Sequence, residues 1–370
     1  MTRSRILHLI DTGGPGGAET IFLELVRGLP ALGWDSVPIV PEDDWLAGAL
    51  RAEGFAPPTL AASGRFTARY ARALRALVRT ERIDLVQTHL LGTSVYATLA
   101  CLGTSVPVVS TFHGIPDISV TDRLRLLKLR LLQGASNRVV CVSDSLAHHV
   151  ASLGYGAPIK VIPNGIDVRA FSAGGNGRLR GEIGIGADET VVGAVGNVRP
   201  SKAYDVLLDA FARVRAAVPE ARLVVAGQAR GALHQQLLEQ RARLGLDGAA
   251  DFIGFRSDVA DVLGTFDVFV LSSSDEGFSL STVQAMAAGL PVVATRCGGP
   301  ELIVGDSGGA LLVPPNDPGA LAGAIIQVIR SPSLAAGLRA AGRQRAFAAF
   351  SLERMLGDYD ALYGRCLEQR

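Results

Sequence analysis

Short apolar runs alternate along the whole chain with longer stretches in which apolar residues recur every third or fourth position. The runs are rich in Val, Ile and Leu and too short for helices, as in strands buried on both faces of a parallel sheet. The longer stretches carry the one-sided pattern of crossover helices. In the first half the pattern predicts strands at Ile6–Ile10, Ser36–Val40, Leu85–Thr88, Val106–Thr111, Val139–Val142 and Lys160–Ile162. Helices fill the gaps at Glu19–Leu29, Thr67–Arg82, Val95–Leu102, Arg123–Gln133 and Asp144–Ser152. In the second half strands are predicted at Val191–Val195, Arg222–Ala226, Asp251–Ile253, Val268–Leu271, Pro291–Ala294 and Ala310–Val313. Helices between them include Tyr204–Ala217, His234–Leu244, Asp258–Leu263 and a short one through Thr282–Ala288. Such alternation predicts an α/β protein built of parallel sheets.

The seam falls after IPNGID (162–167), where VRAFSAGGNGR suppresses regular structure with Gly, Ser and Asn. The expectation is a first Rossmann-like domain over 1–165 and a second over 172–350, with a final helical segment (351–370) crossing back onto the first. Two such halves would face each other across a cleft, with the carboxyl ends of both sheets turned inward. Ligands bind at those ends.

Composition narrows the function classes. The 370 residues suit two ordinary domains, and a hydrophobic content of 48% gives each a core. A net charge of +1 argues against a nucleic-acid binder. The four cysteines (Cys101, Cys141, Cys297, Cys366) lie far apart, which suggests reduced, buried thiols and neither a disulfide framework nor a zinc site. The apolar run near the N-terminus is too short for a signal peptide or a span, so the expected location is the cytoplasm.

The chemistry concentrates in SSSDEGFSLSTVQAMAAGLPVVATRCGGPE (272–301). Glu276 precedes a Gly-Phe turn and a helix start, so a carboxylate stands beside free backbone N–H groups. That combination suits a ligand bearing both hydroxyls and phosphates, although a buried acid capping a helix gives the same pattern. Glu301, after the glycine pair, is read as a cap. DTGGPGGAET (11–20) joins the first strand to its helix through four glycines, which fits close backbone approach to a ligand and equally a plain tight turn. GNVRPSKAYDVLL (196–208) sets Arg199 and Lys202 at a helix start, against the helix dipole unless an anion lies between them. They are candidates for neutralising a diphosphate, or solvated surface charges. His113, in TFHGIPD, follows a strand and is a site candidate or a structural histidine. Two basic, leucine-bearing segments, 65–82 and 121–134, suit an anionic membrane surface and equally amphipathic packing on the sheet.

Several of these segments together resemble the family-4 retaining glycosyltransferases of GT-B fold. The segment from Glu276 is similar to the family's donor signature of Glu, seven residues, Glu and Ala-Met-Ala-x-Gly-x-Pro-Val-Val-Ala, with Gln284 at the second acid. IPNGID resembles the hinge motif, CVSDSLAHHV (141–150) the turn before it, FIGFRSDV (252–259) the base-pocket loop, and DTGGPGGAET the Gly-Gly-Ala-Glu loop. The family's Gly-Arg-x-x-x-x-Lys-Gly appears with Asn197 at the Arg, Lys202 at the Lys and Ala203 at the final Gly.

The resemblance implies that Glu276 binds hydroxyls of a donor hexose, with amides of Gly277, Phe278, Ser279 and Leu280 near sugar and phosphates. Gln284 would meet the ribose, Arg256 would border the base, and Lys202 with Arg199 would neutralise the leaving diphosphate, beside Asn197. Gly16 and Gly17 would touch the diphosphate and help form the acceptor pocket, and His113 would lie beside the reacting sugar. The implied activity is metal-independent retaining transfer of a hexose from a nucleotide diphosphate sugar, of which a UDP-sugar is the first candidate. The acceptor would be a saccharide, a glycolipid or a small molecule, with no cofactor beyond the donor and peripheral contact with an anionic membrane as an open alternative. A GT-B-like nucleotide-sugar epimerase and a catalytically idle nucleotide-sugar-binding protein are the rival readings.

Overall fold

The computed structural model describes residues 3–61, 68–118, 122–133, 137–172 and 178–369. The chain divides into two compact units, Met1–Gly165 with Leu352–Arg370, and Ile166–Ser351. It enters the second unit at Ile166 and leaves it at Ser351, two residues joined by a parallel bridge, with Ile166 N–H donating to the Phe350 carbonyl at 3.0 Å. The seam residues 173–177 lie outside the described residues, as does Thr67.

The first unit is one parallel sheet of β1 (Ser4–Leu9), β2 (Trp34–Ile39), β3 (Leu85–His89), β4 (Val108–Phe112), β5 (Asn137–Cys141) and β6 (Ile159–Val161) in the order β2-β1-β3-β4-β5-β6. Every residue of β3 and β4 is buried, as expected of central strands covered on both faces. β4 begins two residues later than its apolar run because Pro107 has no N–H for the ladder. On one face Leu7, Leu9, Val86 and Val108 pack against Tyr70, Leu74 and Val78 of the helix Ala68–Thr80. On the other, Ile10 and Val40 pack against Phe22 and Val26 of the helix Gly17–Gly28.

The last helix, Leu352–Glu368, belongs to this same unit. Its buried Tyr363 donates to Gln87 Oε1 at 2.9 Å, Tyr359 meets Thr111 Oγ1 at 3.1 Å, and Asp360 accepts from the Trp34 indole at 2.7 Å. Gln87 in turn donates to Thr111 Oγ1 at 2.9 Å. Buried polar groups on the central strands are thereby satisfied by the chain's final segment.

The second unit is also one parallel sheet, β7 (Thr190–Val195), β8 (Ala221–Ala226), β9 (Ala250–Gly254), β10 (Val268–Leu271), β11 (Val292–Thr295) and β12 (Leu311–Val313), in the order β12-β11-β10-β7-β8-β9. Its core joins Val192, Leu223 and Val270 to Leu207 and Phe211 of the helix Tyr204–Ala217 and to Leu321 and Ile325 of Pro318–Arg330. Pro318–Arg330 and Pro332–Ala349 are not among the sequence-predicted helices. Asp317 and Ser331 cap them, each just before a proline in the first turn. Among the described residues no single helix is long and apolar enough to cross a membrane.

Candidate functional site

Each sheet has one point where strand order reverses, and several of the candidate residues follow the strands that flank it, whereas Arg256 and His113 follow other strands. In the second unit that point lies between β7 and β10, where a doubly wound sheet opens a crevice beyond its strand ends. The loop after β7 carries Asn197, Arg199 and Lys202, and the loop after β10 carries Ser273 and Glu276. The two loops are tied directly: Ser274 N–H donates to the Ser201 carbonyl at 2.8 Å, and Ser272 Oγ donates to the Lys202 carbonyl at 2.8 Å.

Lys202 Nζ lies 2.6 Å from Glu276 Oε1, with only 17% and 13% of the two side chains exposed. Ser273 Oγ donates to the same oxygen at 2.7 Å. Lys202 belongs to a single 3-10 turn, Pro200–Lys202, which ends at Ala203 with φ 46° and ψ 48°. A left-handed alanine here stores backbone strain that glycine would not. The Glu276 backbone is equally fixed. Its N–H donates to the Cys297 carbonyl at 3.0 Å, and its carbonyl accepts from Gly299 N–H at 2.7 Å. A Cβ on Gly299 would stand 2.8 Å from Phe278 Cα, so the second glycine of the pair is required by this close approach.

Phe278 packs edge-on against Phe350 at 5.6 Å and anchors the turn. The helix Leu280–Ala287 starts just beyond, with Ser279 as its cap, accepting from Thr282 N–H at 3.4 Å. The amides of Gly277, Phe278 and Leu280 precede or open that helix, and Gln284 stands one turn on, half-buried. Glu301 accepts from Gly298 N–H at 2.9 Å and so caps its own helix, Gly299–Val304.

The remaining candidates of this unit are less central. Asn197 Oδ1 accepts from Gln228 N–H at 2.9 Å and so ties the β7 end to the β8 end. Arg199 is exposed. Arg256, after β9, is held by Asp258 at 2.8 Å and by Glu182 at 3.4 Å, which fixes the plane of its guanidinium.

In the first unit the reversal lies between β1 and β3. The glycine loop follows β1, and Gly16 and Gly17 open the helix Gly17–Gly28. A Cβ on Gly16 would stand 2.4 Å from a carboxylate oxygen of Glu19, and one on Gly13 would clash with Asp44. The loop therefore carries acids against its own backbone, which the motif alone did not indicate. Burial raises the Asp11 carboxyl above its ordinary value, and neighbouring Glu19 adds to the effect.

His113 follows β4. Asp117 Oδ2 accepts from the backbone N–H groups of His113 at 2.5 Å and Gly114 at 3.1 Å. Burial pushes the Asp117 carboxyl up to about 6 and the His113 imidazole down to about 4. His113 Nε2 lies 2.8 Å from Nδ1 of His89, which ends the neighbouring strand β3. Sequence reasoning missed His89, Asp117 and Ser273; two histidines closing consecutive apolar runs were the available signal for the first.

The family model described as Glycosyltransferase Family 4 matches residues 15–170, and that for glycosyl transferases group 1 matches 189–331. A D-inositol 3-phosphate glycosyltransferase of Segniliparus rotundus is 31% identical over 351 residues, covering 89% of this chain and 75% of the relative. An N-acetyl-alpha-D-glucosaminyl L-malate synthase of Bacillus anthracis is 27% identical over 301 residues, covering 79% and 77%. In fold, the chain is similar to Anabaena HepE, solved in complex with UDP-glucose, with a TM-score of 0.86 at 23% identity over 99% of this chain and 100% of that one.

Proposed function

Because this chain belongs to glycosyltransferase family 4 and has the GT-B fold, we propose that it moves a hexose from a UDP-sugar to a hydroxyl of a saccharide or lipid-linked saccharide, with retention at the anomeric carbon. The observation that carries this reading is the Lys202–Glu276 pair at the switch point of the second sheet. Glu276 is an acceptor placed for sugar hydroxyls, and Lys202 is a cation placed for a diphosphate. The donor of such a transfer presents both groups together.

In the reaction the bond from the anomeric carbon to the diphosphate breaks as the acceptor oxygen bonds to the same face of that carbon. The acceptor proton passes to the departing diphosphate. Lys202 stabilises the charge growing on that leaving group, the work a divalent ion would otherwise do. The first unit contributes His113 and the acceptor contacts. Burial chiefly raises the Asp11 and Asp117 carboxyls there, with Glu19 adding to both.

The proposed location is the cytoplasm, at the inner face of the membrane. Leu124, Leu126 and Leu127 are exposed at 58%, 47% and 64% beside the exposed Arg123 and Arg130. Such a surface suits anionic lipid. The segment 65–82 is less suited to that role, because Tyr70, Leu74 and Val78 face the core and Arg75 donates to the carbonyls of Ala100 and Leu102.

A thermal-shift screen of UDP-, GDP-, ADP- and TDP-sugars tests the donor, since a bound ligand raises the melting temperature by mass action. UDP-sugars are expected to stabilise most, with slow release of UDP and free sugar. An intact but interconverted donor would establish an epimerase, and binding without turnover toward any acceptor an idle protein.

A further inference from the structure

Three serines in a row follow β10, and each is bonded differently. Ser272 Oγ and Ser274 N–H both reach the 3-10 turn Pro200–Lys202, at the Lys202 and Ser201 carbonyls. Ser273, wholly buried between them, turns its hydroxyl to Glu276 Oε1 at 2.7 Å. Its own backbone is held as well, because Thr295 Oγ1, at the end of β11, donates to the Ser273 carbonyl at 2.5 Å. The serine is therefore a fixed point against which the Glu276 side chain is set.

Glu276 needs such a point. Its N–H and carbonyl are bonded to Cys297 and Gly299, but three side-chain torsions lie between that backbone and the carboxylate. The two donors it meets, Lys202 Nζ at 2.6 Å and Ser273 Oγ at 2.7 Å, fall on the same oxygen. A carboxylate oxygen has about two acceptor directions, so Oε1 is filled. Oε2 has no partner among the described residues, yet it is not one of the polar atoms buried without a partner. The exposed 13% of the side chain therefore includes Oε2. The carboxylate is held by one oxygen and open through the other.

The two donors are not equivalent. Lys202 is a cation on a flexible stem, and under the proposed function it turns to the charge of the departing diphosphate. An ammonium drawn toward phosphate holds a carboxylate less firmly. Ser273 meets no other acceptor among the described residues, and its single hydroxyl hydrogen is sealed from solvent. Its bond to Oε1 is charge-assisted and does not depend on what Lys202 faces.

We infer that Ser273 is a positioning residue for the sugar end of the site: its hydroxyl holds Oε1 of Glu276 and presents Oε2 to the hydroxyls of the donor hexose. Glu276 thus meets the sugar through a single oxygen. The orientation of the carboxylate stands on the second unit alone, whereas its consequence for turnover rests on the proposed transferase activity.

Crystal structures of the full chain, wild type and Ser273→Ala, read the orientation directly. The expected result is one carboxylate orientation in the wild type, with Oε1 against Ser273, and a turned or divided one in the variant. A Glu276 side chain unmoved in Ser273→Ala would overturn the inference, as would a wild type in which Ser273 bonds elsewhere. In the transferase assay Ser273→Ala should lower kcat about tenfold or more, the effect of losing a hydrogen bond to a charged group, with UDP affinity unchanged by calorimetry. Because Ser273 acts through Glu276, the same substitution added to Glu276→Ala should cost nothing further. A serine that merely braced the loop would lower turnover again in that background and weaken UDP binding, and this result would also overturn the inference. Should Ser273→Ala not fold, Ser273→Cys, which keeps a weaker donor, supplies both readouts. A protein that transfers nothing would remove the proposed function, and the crystallographic result would then decide the inference by itself.

Discussion

The ammonium of Lys202 and the carboxylate of Glu276 meet at 2.6 Å across two loops that β7 and β10 project from opposite sides of a switch point. Each neutralises the other, and under the proposed function a diphosphate sugar would give both a second partner. The two side chains should therefore separate by function when removed singly. Glu276→Ala frees Lys202 for phosphate, so UDP affinity should be retained while turnover falls by about a hundredfold or more. Lys202→Ala should weaken UDP binding by about tenfold to a hundredfold, the range expected for a hydrogen bond to a charged group. Calorimetric titration with UDP alongside a transfer assay checks both, and equal losses of UDP affinity in the two variants would contradict the assignment.

Gln284 offers one acceptor and one donor where a carboxylate would offer two acceptors. Gln284→Glu should strengthen binding of a ribose-bearing nucleotide by about fivefold to tenfold, corresponding to roughly 1 kcal/mol. Weaker or unchanged UDP binding in this variant would place the ribose elsewhere.

Acid should destabilise the protein through its buried histidines. Burial lowers His8 to about 3 and His113 to about 4, and His89 also titrates well below its ordinary value of 6.5. Below that value the unfolded chain binds more protons than the folded one, so stability falls as pH drops. Asp117, between 3.8 and about 6, and Asp11 act in the opposite sense, because their raised carboxyls hold a proton in the folded state, and they offset at most two of the three. Both ring nitrogens of His8 are buried, without a partner among the described residues. His8→Leu should accordingly raise stability by about 1 kcal/mol at neutral pH and flatten the acid limb. Melting temperatures measured from about pH 7 down to pH 5 decide the matter; an unaltered limb in the variant would show that His8 titrates normally.

Ala203 sits at φ 46° with 5% of its surface exposed. Glycine there would relieve about 1–2 kcal/mol of left-handed strain and lose about 0.8 kcal/mol of methyl burial, in addition to some backbone entropy. Ala203→Gly should therefore be neutral or mildly stabilising in urea unfolding. Ala210→Gly, within the helix Tyr204–Ala217, should cost about 1 kcal/mol or more.

The strands were legible because a parallel sheet covered on both faces leaves its mark as short unbroken apolar runs, and β10, every residue of which is buried, is read from Val268–Leu271 without error. Pro107 shifted one start. The helices Pro318–Arg330 and Pro332–Ala349 were harder to see, since Pro and Gly usually read as breakers although Asp-Pro and Ser-Pro here mark helix entry. Within the site, Lys202 and Glu276 were visible as chemistry, but their contact was not, being set by the register of β7 beside β10 across 74 positions of sequence. His89 stayed hidden for the same reason: its partner lies just past the next strand, 24 residues on, and only the parallel pairing of β3 with β4 brings the rings together.

The return of Leu352–Glu368 to the first sheet has a consequence for how the molecule is made. The second unit is continuous in sequence and has all its strands once synthesis passes Ser351, whereas the earlier-made sheet still lacks Tyr359 and Tyr363 beside Thr111 and Gln87. The sheet translated first is thus completed by the segment translated last. A chain ending before Leu352 would lack both tyrosines against its central strands.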